Sequence, residues 1–179
     1  MLYVSTVKTT APAEFSSPLQ AKVYAALTLL QIPFERVETD EAITMEDCVA
    51  INAALKMKMV KTLFLCNHQH TEFYLFVTCG DKPFRAKDFS KSLHVSRVSF
   101  APASLMPNML GTPVGAATIF SALLDVDHKV HIVLDKDVIC DPWYGCSDGL
   151  TTSYLKIQTS AIVHTFLNYT GHAPQIIEV

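Results

Sequence analysis

Apolar residues recur at Leu19, Val23, Ala26, Leu27 and Leu30, a spacing that gathers them on one stripe of a helix. The run Ser17-Pro18-Leu19-Gln20 reads as a capping box: the serine oxygen accepts a backbone N–H, Pro18 suits the first helical position, and Gln20 reaches back. Pro33 predicts that this helix closes near Gln31, and a short strand follows at 34–37. Thr44 with Asp47 forms a second cap, opening a helix to about Leu55. Two apolar runs, 60–66 and 72–78, are separated by the polar turn Asn67-His68-Gln69-His70; they predict a hairpin buried on both faces. Beyond the turn Gly80-Asp81-Lys82-Pro83, the pattern predicts a short helix at 86–93, a strand at 95–100 and a short helix at 102–109. Strands follow at 130–134 and 151–157, then a closing helix at 161–169 with Gly171 just past its end, and a final strand at 176–179.

Helices and strands are mixed without strict β-α-β alternation, and a hairpin is present. The fold class expected is therefore α+β, a single domain with a mixed, largely antiparallel sheet packed by helices. Residues 1–17 read as a loose N-terminal arm and 18–179 as the domain, with no internal repeat.

At 179 residues, half of them hydrophobic and 17% charged, the chain is long and apolar enough for a real core and is not a disordered segment. The net charge of −3 gives no global signal for a non-specific nucleic-acid binder, which is usually basic. The charge is uneven, however. Between Lys56 and Arg97 eight lysines and arginines stand against three acids, a local balance of +5. That stretch reads either as a phosphate-facing surface or as the solvated side of two strands and a helix. Five cysteines without a C-x-x-C pair exclude a zinc ribbon and a disulfide framework. The polar N-terminus lacks a secretory signal, and no stretch approaches the ~20 apolar residues of a membrane span. The expectation is a cytoplasmic protein with reduced thiols and no membrane partner.

The candidate chemistry starts in Met59-Val60-Lys61-Thr62-Leu63-Phe64-Leu65, where a lysine stands at the mouth of an apolar strand. Lys61 shares a side with Leu63 and Leu65. A cation there either snorkels into water or points into a cleft that holds an anion, and both readings stand. The segment Gly111-Thr112-Pro113-Val114-Gly115-Ala116-Ala117-Thr118 is not a P-loop, since G-x-x-x-x-G-K-[ST] is absent. Its small residues let backbone N–H groups approach a ligand closely, or simply make a tight turn. Cys146 lies in the loop-like run Trp143-Tyr144-Gly145-Cys146-Ser147-Asp148-Gly149; no neighbouring cation lowers its pKa, so it reads as a passive thiol. Asp148 with Thr151 and Thr152 is a polar cluster that orients a ligand or closes a turn. His68, His70, His128, His131 and His164 show neither metal-type spacing nor a nucleophile triad, so neither a metal nor a cofactor is expected.

Several pieces, in order along the chain, carry a resemblance. They are Val23-Tyr24-Ala25-Ala26-Leu27 with Ile32-Pro33-Phe34-Glu35-Arg36-Val37-Glu38, then Val60-Lys61-Thr62-Leu63-Phe64-Leu65, and Gly80-Asp81-Lys82-Pro83-Phe84. Asp127-His128-Lys129-Val130, Val133-Leu134-Asp135-Lys136 and Thr170-Gly171-His172-Ala173-Pro174 continue the series. Over roughly residues 19–179 the chain resembles the YbaK/ProX superfamily of aminoacyl-tRNA deacylases. It looks most like the stand-alone, prolyl-tRNA-synthetase-associated type, which edits alanine from mischarged proline tRNA. The resemblance implies a trans-editing ester hydrolase that needs no metal, with Lys61 and Gly115 as catalytic positions. Thr62, Ala116, Ala117, Thr118, Asp148 and Thr151 would contact substrate, and Lys82, Arg85 and Lys87 would meet the tRNA acceptor stem. Water is the nucleophile, helped by the substrate's own vicinal hydroxyl. A prolyl-tRNA synthetase is the implied partner. The sequence departs from the family pattern in three places: Thr62 replaces an asparagine, Ile119 a proline, and Gly145-Cys146-Ser147-Asp148-Gly149-Leu150 a His-Pro-Asn-Asp-Asn-Thr run. These leave a second expectation open, a synthetase-associated module that binds the aminoacyl or tRNA end without turning it over.

Overall fold

Ser17 Oγ accepts the backbone N–H of Gln20 at 3.1 Å in the computed structural model of the chain, which describes residues 2–179. With Pro18 at the first helical position, α1 runs Pro18–Leu29. The other half of the capping box shifts by one residue, because the Gln20 side-chain oxygen takes the N–H of Ser16 at 2.8 Å. Strand β1 is Glu35–Glu38, and α2 is Cys48–Leu55, preceded by the mutual Thr44–Asp47 hydrogen bonds. The hairpin forms as β2 (Val60–Asn67) and β3 (Phe73–Cys79), antiparallel with Lys61 opposite Thr78. Helix α3 is Ala86–Leu93 and β4 is Val98–Phe100; the strand starts later than expected because His94 turns left-handed at φ 57°. The remaining elements are α4 (Met106–Leu110), β5 (Val130–Asp135), α5 (Lys136–Cys140), β6 (Trp143–Ser147) and β7 (Ser153–Gln158), then α6 (Leu167–Thr170) and β8 (Gln175–Ile177). The closing helix begins as a π-helix over Ala161–Phe166 before tightening into α6.

The α+β class holds, but the strands divide between two sheets. One has the order β1-β7-β6 and is antiparallel; the other is β4-β2-β3-β5-β8, in which β5 pairs in parallel with both neighbours. A parallel bridge between Met59 and Gly145 links them at the start of β2. Gly145 permits this approach, since a Cβ there would stand 3.0 Å from the Lys58 carbonyl oxygen.

The N-terminal arm is not loose. Ser5 N–H donates to Glu38 O at 2.8 Å, and Lys8 and Arg36 exchange backbone bonds of 2.9 and 2.8 Å, so the arm covers the free edge of β1. Leu19, Val23 and Leu27 of α1 pack with Phe120, Phe166, Leu134 and Leu155 in the main core between the sheets. A second cluster, Leu65, Tyr74, Phe76 and Phe89, lies under α3, and a third joins Ile51 and Leu55 of α2 to Val37 and Tyr154.

Candidate active site

Strand β2 changes company along its length. It pairs with β4 only from Leu65 onward, while its first residues lie beside β6. Where β4 has ended, a cleft of about 410 Å³ opens, lined on one side by Lys61, Thr62 and Leu63 and on the other by Val114, Gly115 and Ala117. Ala101 N–H donates to Phe64 O at 2.9 Å, so Phe64 turns its backbone toward this edge. Thr62, two residues earlier, turns its N–H and C=O the same way, into the cleft.

Lys61 is partly buried, and its ammonium donates to the main-chain carbonyl of Lys82 in the turn after β3. One of three ammonium donors is thus engaged, and two are left for a ligand. The loop opposite has Gly115 at φ 89° with Ile43 packed over its Cα face. The Ala116 N–H is taken by Pro113 O at 3.2 Å. Ala116 itself is fully buried, with its carbonyl accepting from Ser147 Oγ at 3.2 Å. Thr118 is buried too; its hydroxyl donates to Ser147 O at 2.8 Å, tying the loop to β6. Of the loop residues expected to meet substrate, Gly115 and Ala117 line the cleft, while Ala116 and Thr118 anchor it from behind.

Asp148 and Thr151 also stand behind the cleft. Asp148 Oδ2 accepts from Gln20 Nε2 at 2.9 Å, from the Tyr24 hydroxyl at 2.8 Å and from Ser153 Oγ at 2.6 Å. Burial raises its pKa above the ordinary aspartate value, against the lowering effect of those donors. The carboxylate joins α1 to the β6–β7 turn. Thr151 O accepts from Ala42 N–H at 2.8 Å and from the Tyr154 hydroxyl at 3.0 Å, which fixes the loop carrying Ile43. Cys146 is not on an accessible loop. It is a buried residue of β6 that lines the back of the cleft, and burial pushes its thiol far above the usual cysteine range.

The three cations expected at the acceptor stem separate. Lys82 pairs at 2.9 Å with both Asp135, fully buried, and Asp137. Burial works against its charge, but the two carboxylates outweigh it and hold its pKa well above the ordinary lysine value. Arg85 and Lys87 are exposed at the start of α3 and make no ion pair among the described residues. Sequence reasoning missed Ile43, Phe100, Met106 and Tyr154 as cleft residues, since nothing local marks them as neighbours of Lys61. Among the described residues no three His, Cys, Asp or Glu side chains are grouped to hold a metal ion, and no helix is long and apolar enough to cross a membrane.

Residues 39–164 match the family described as the aminoacyl-tRNA editing domain. The prolyl-tRNA editing protein ProX of Acetoanaerobium sticklandii is 28% identical over 117 residues, covering 65% of this chain and 71% of that protein. Two solved structures share the fold. The hypothetical protein APE2540 matches with a TM-score of 0.68 at 17% identity, over 87% of this chain and 98% of its own. A candidate trans-editing enzyme for prolyl tRNA synthetase matches with a TM-score of 0.66 at 16% identity, over 92% and 99%. The family match takes in Lys61, the Gly115 loop and β6 together: this chain belongs to the aminoacyl-tRNA editing domain family, and its function is the editing of mischarged tRNA.

Proposed function

We propose that the chain hydrolyses the ester joining a small amino acid to the terminal ribose of a tRNA, with alanine on proline tRNA as the substrate, and that no metal or cofactor takes part. The observation that supports this reading best is the convergence of Lys61 and Thr62 with Gly115 and Ala117 on one cleft. Water adds to the ester carbonyl, and the negative charge that develops on its oxygen meets the N–H groups of Gly115 and Ala117; the Ala116 N–H is already engaged. Lys61 holds a phosphate or ribose oxygen with its two remaining donors. The bond to the ribose oxygen then breaks, that oxygen takes a proton, and free amino acid and uncharged tRNA leave. Ile43, Met106 and the buried β6 wall keep the cleft small and apolar, which favours a short side chain over a bulky one.

In this reading Arg85 and Lys87, both exposed, meet the acceptor stem, whereas Lys82 serves its internal acids. All five cysteines are free thiols, in keeping with a cytoplasmic location, where a prolyl-tRNA synthetase is the proposed partner. The test is a deacylation panel of alanyl-, cysteinyl-, seryl- and prolyl-tRNA with and without a chelator. Hydrolysis of alanyl-tRNA(Pro) untouched by chelator is expected. Tight tRNA binding without turnover of any ester would leave a binding module, and activity lost to chelator but restored by zinc would refute the metal-free mechanism.

A further inference from the structure

Two aromatic rings stand exposed at opposite ends of one groove. Phe100, the last residue of β4, lines the cleft and is 63% exposed. Trp143 is 38% exposed and lines an adjoining hollow of about 300 Å³ that shares Met45, Met59 and Val60 with the cleft. Single exposed apolar residues are ordinary, so exposure alone decides nothing. Their surroundings differ.

Phe100 lies opposite Leu65 in the β2–β4 register, on the side of the sheet from which Lys61 also projects. Its ring is oriented by Phe84, with centroids 5.6 Å apart at 62°. Arg85 directly follows Phe84, Lys87 is two residues further, and Arg97 precedes Phe100 by three; all three are exposed cations without an ion-pair partner among the described residues. At the other end, Asp81 and Asp141 line the hollow beside Lys58, so its walls carry no excess of cations. The Trp143 ring is already covered by the Lys156 ammonium, 4.3 Å from its centroid. A polyanion is therefore drawn to the first end more strongly than to the second.

The geometry points to a nucleobase site on Phe100: its ring is the platform on which the terminal base of the aminoacyl-tRNA stacks while the ester lies between Lys61 and Gly115. This rests on the editing reading above. Phenylalanine has no polar atom with which to read a base edge, so the platform positions the tRNA end without selecting its sequence.

Two measurements on the full chain test it: the Kd of the trinucleotide CCA, and the steady-state kinetics of alanyl-tRNA(Pro) hydrolysis. Phe100→Ala is expected to weaken CCA binding roughly 10- to 100-fold and to raise KM by a similar factor with kcat little changed. Phe100→Trp should restore both, and Trp143→Ala should alter neither. The ring is exposed, so melting temperature should not move in Phe100→Ala. CCA binding by Phe100→Ala within twofold of wild type overturns the inference, as does loss of binding in Trp143→Ala instead. If the wild type hydrolyses no ester, the editing mechanism fails, yet the CCA measurement still decides the platform. A change in oligomeric state in Phe100→Ala with CCA binding intact would make the ring a contact between copies of this chain and overturn the base site.

Discussion

Lys61 Nζ donates to the main-chain carbonyl of Lys82, and the ammonium of Lys82 in turn binds Asp135 and Asp137, each at 2.9 Å. The lysine of the cleft is therefore held by the same turn whose own lysine neutralises a fully buried acid. Thr78, opposite Lys61 in the hairpin, completes the arrangement by donating to Asp135 Oδ2 at 2.7 Å. Two lysines 21 residues apart thus have different work, one facing the cleft and one holding the sheet together.

Lys61→Ala is expected to lower single-turnover deacylation by two or more powers of ten, about 3 kcal/mol of transition-state stabilisation. Folding should hold, because the Lys82 carbonyl that loses its donor sits in a partly exposed turn. Lys61→Arg should rescue poorly, since a planar fork does not replace a compact ammonium in a small cleft. Wild-type rates in Lys61→Ala would remove this residue from the chemistry.

Lys82→Met should behave differently. It strips the counter-charge from Asp135, for which a loss of about 2–3 kcal/mol is expected; this is below the figure for a wholly buried pair because the Lys82 side chain keeps 23% of its exposure. The melting temperature should fall, while tRNA binding per folded molecule stays close to wild type. Arg85→Ala with Lys87→Ala should do the reverse: an unmoved melting temperature, weaker tRNA binding, and a salt dependence flattened by up to about two units of slope. Unchanged salt dependence would place the acceptor stem elsewhere.

Gly115→Ala meets two obstacles. The residue stands at φ 89°, and the added Cβ would lie 3.0 Å from Ile43 Cγ2. Left-handed backbone costs an L-residue about 1–2 kcal/mol, which at this chain length lowers the melting temperature by roughly 2–8 °C. Ile43 must also shift at the cleft mouth, so KM for alanyl-tRNA should rise. Calorimetry with kinetics on the same preparation checks both, and an unaltered melting temperature would contradict the backbone geometry.

Asp148→Asn should change how stability depends on pH. The folded carboxyl has a raised pKa, so the folded chain keeps its proton to a higher pH than the unfolded chain, whose aspartate titrates near about 3.9. Its favourable contribution is therefore complete below that unfolded value and is lost as pH rises through the folded one. The amide can still accept from Gln20, Tyr24 and Ser153 through its oxygen but carries no titrating proton. Denaturant unfolding from pH 3 to 8 should show wild-type stability declining relative to Asp148→Asn as pH rises. Parallel curves would mean that the carboxyl does not titrate differently in the two states.

The sequence by itself determined those elements whose cause is local. Ser17 and Pro18 start α1, the apolar runs around Asn67-His68-Gln69-His70 make the β2–β3 hairpin, and the helix predicted at 86–93 is α3. Caps, turns and periodicity act over a few residues, so they can be read without knowing the rest of the chain. The ordered motifs around Lys61 and Gly80-Asp81-Lys82 likewise pointed to the family that residues 39–164 match.

Tertiary structure alone decided the rest, because the partners are far apart along the chain. Gly145, Cys146 and Ser147 look like loop residues; they become β6 because β7 and Met59 supply the hydrogen bonds on either side. Asp148 turns from a ligand candidate into a brace only when Gln20 and Tyr24, more than 120 residues earlier, reach it. Lys82 finds Asp135 across 53 residues, and Ile43 and Phe100 join Lys61 at one cleft through the split between the two sheets. Charge pairing and cleft formation depend on distance in space, and sequence order does not encode that distance until the sheets have formed.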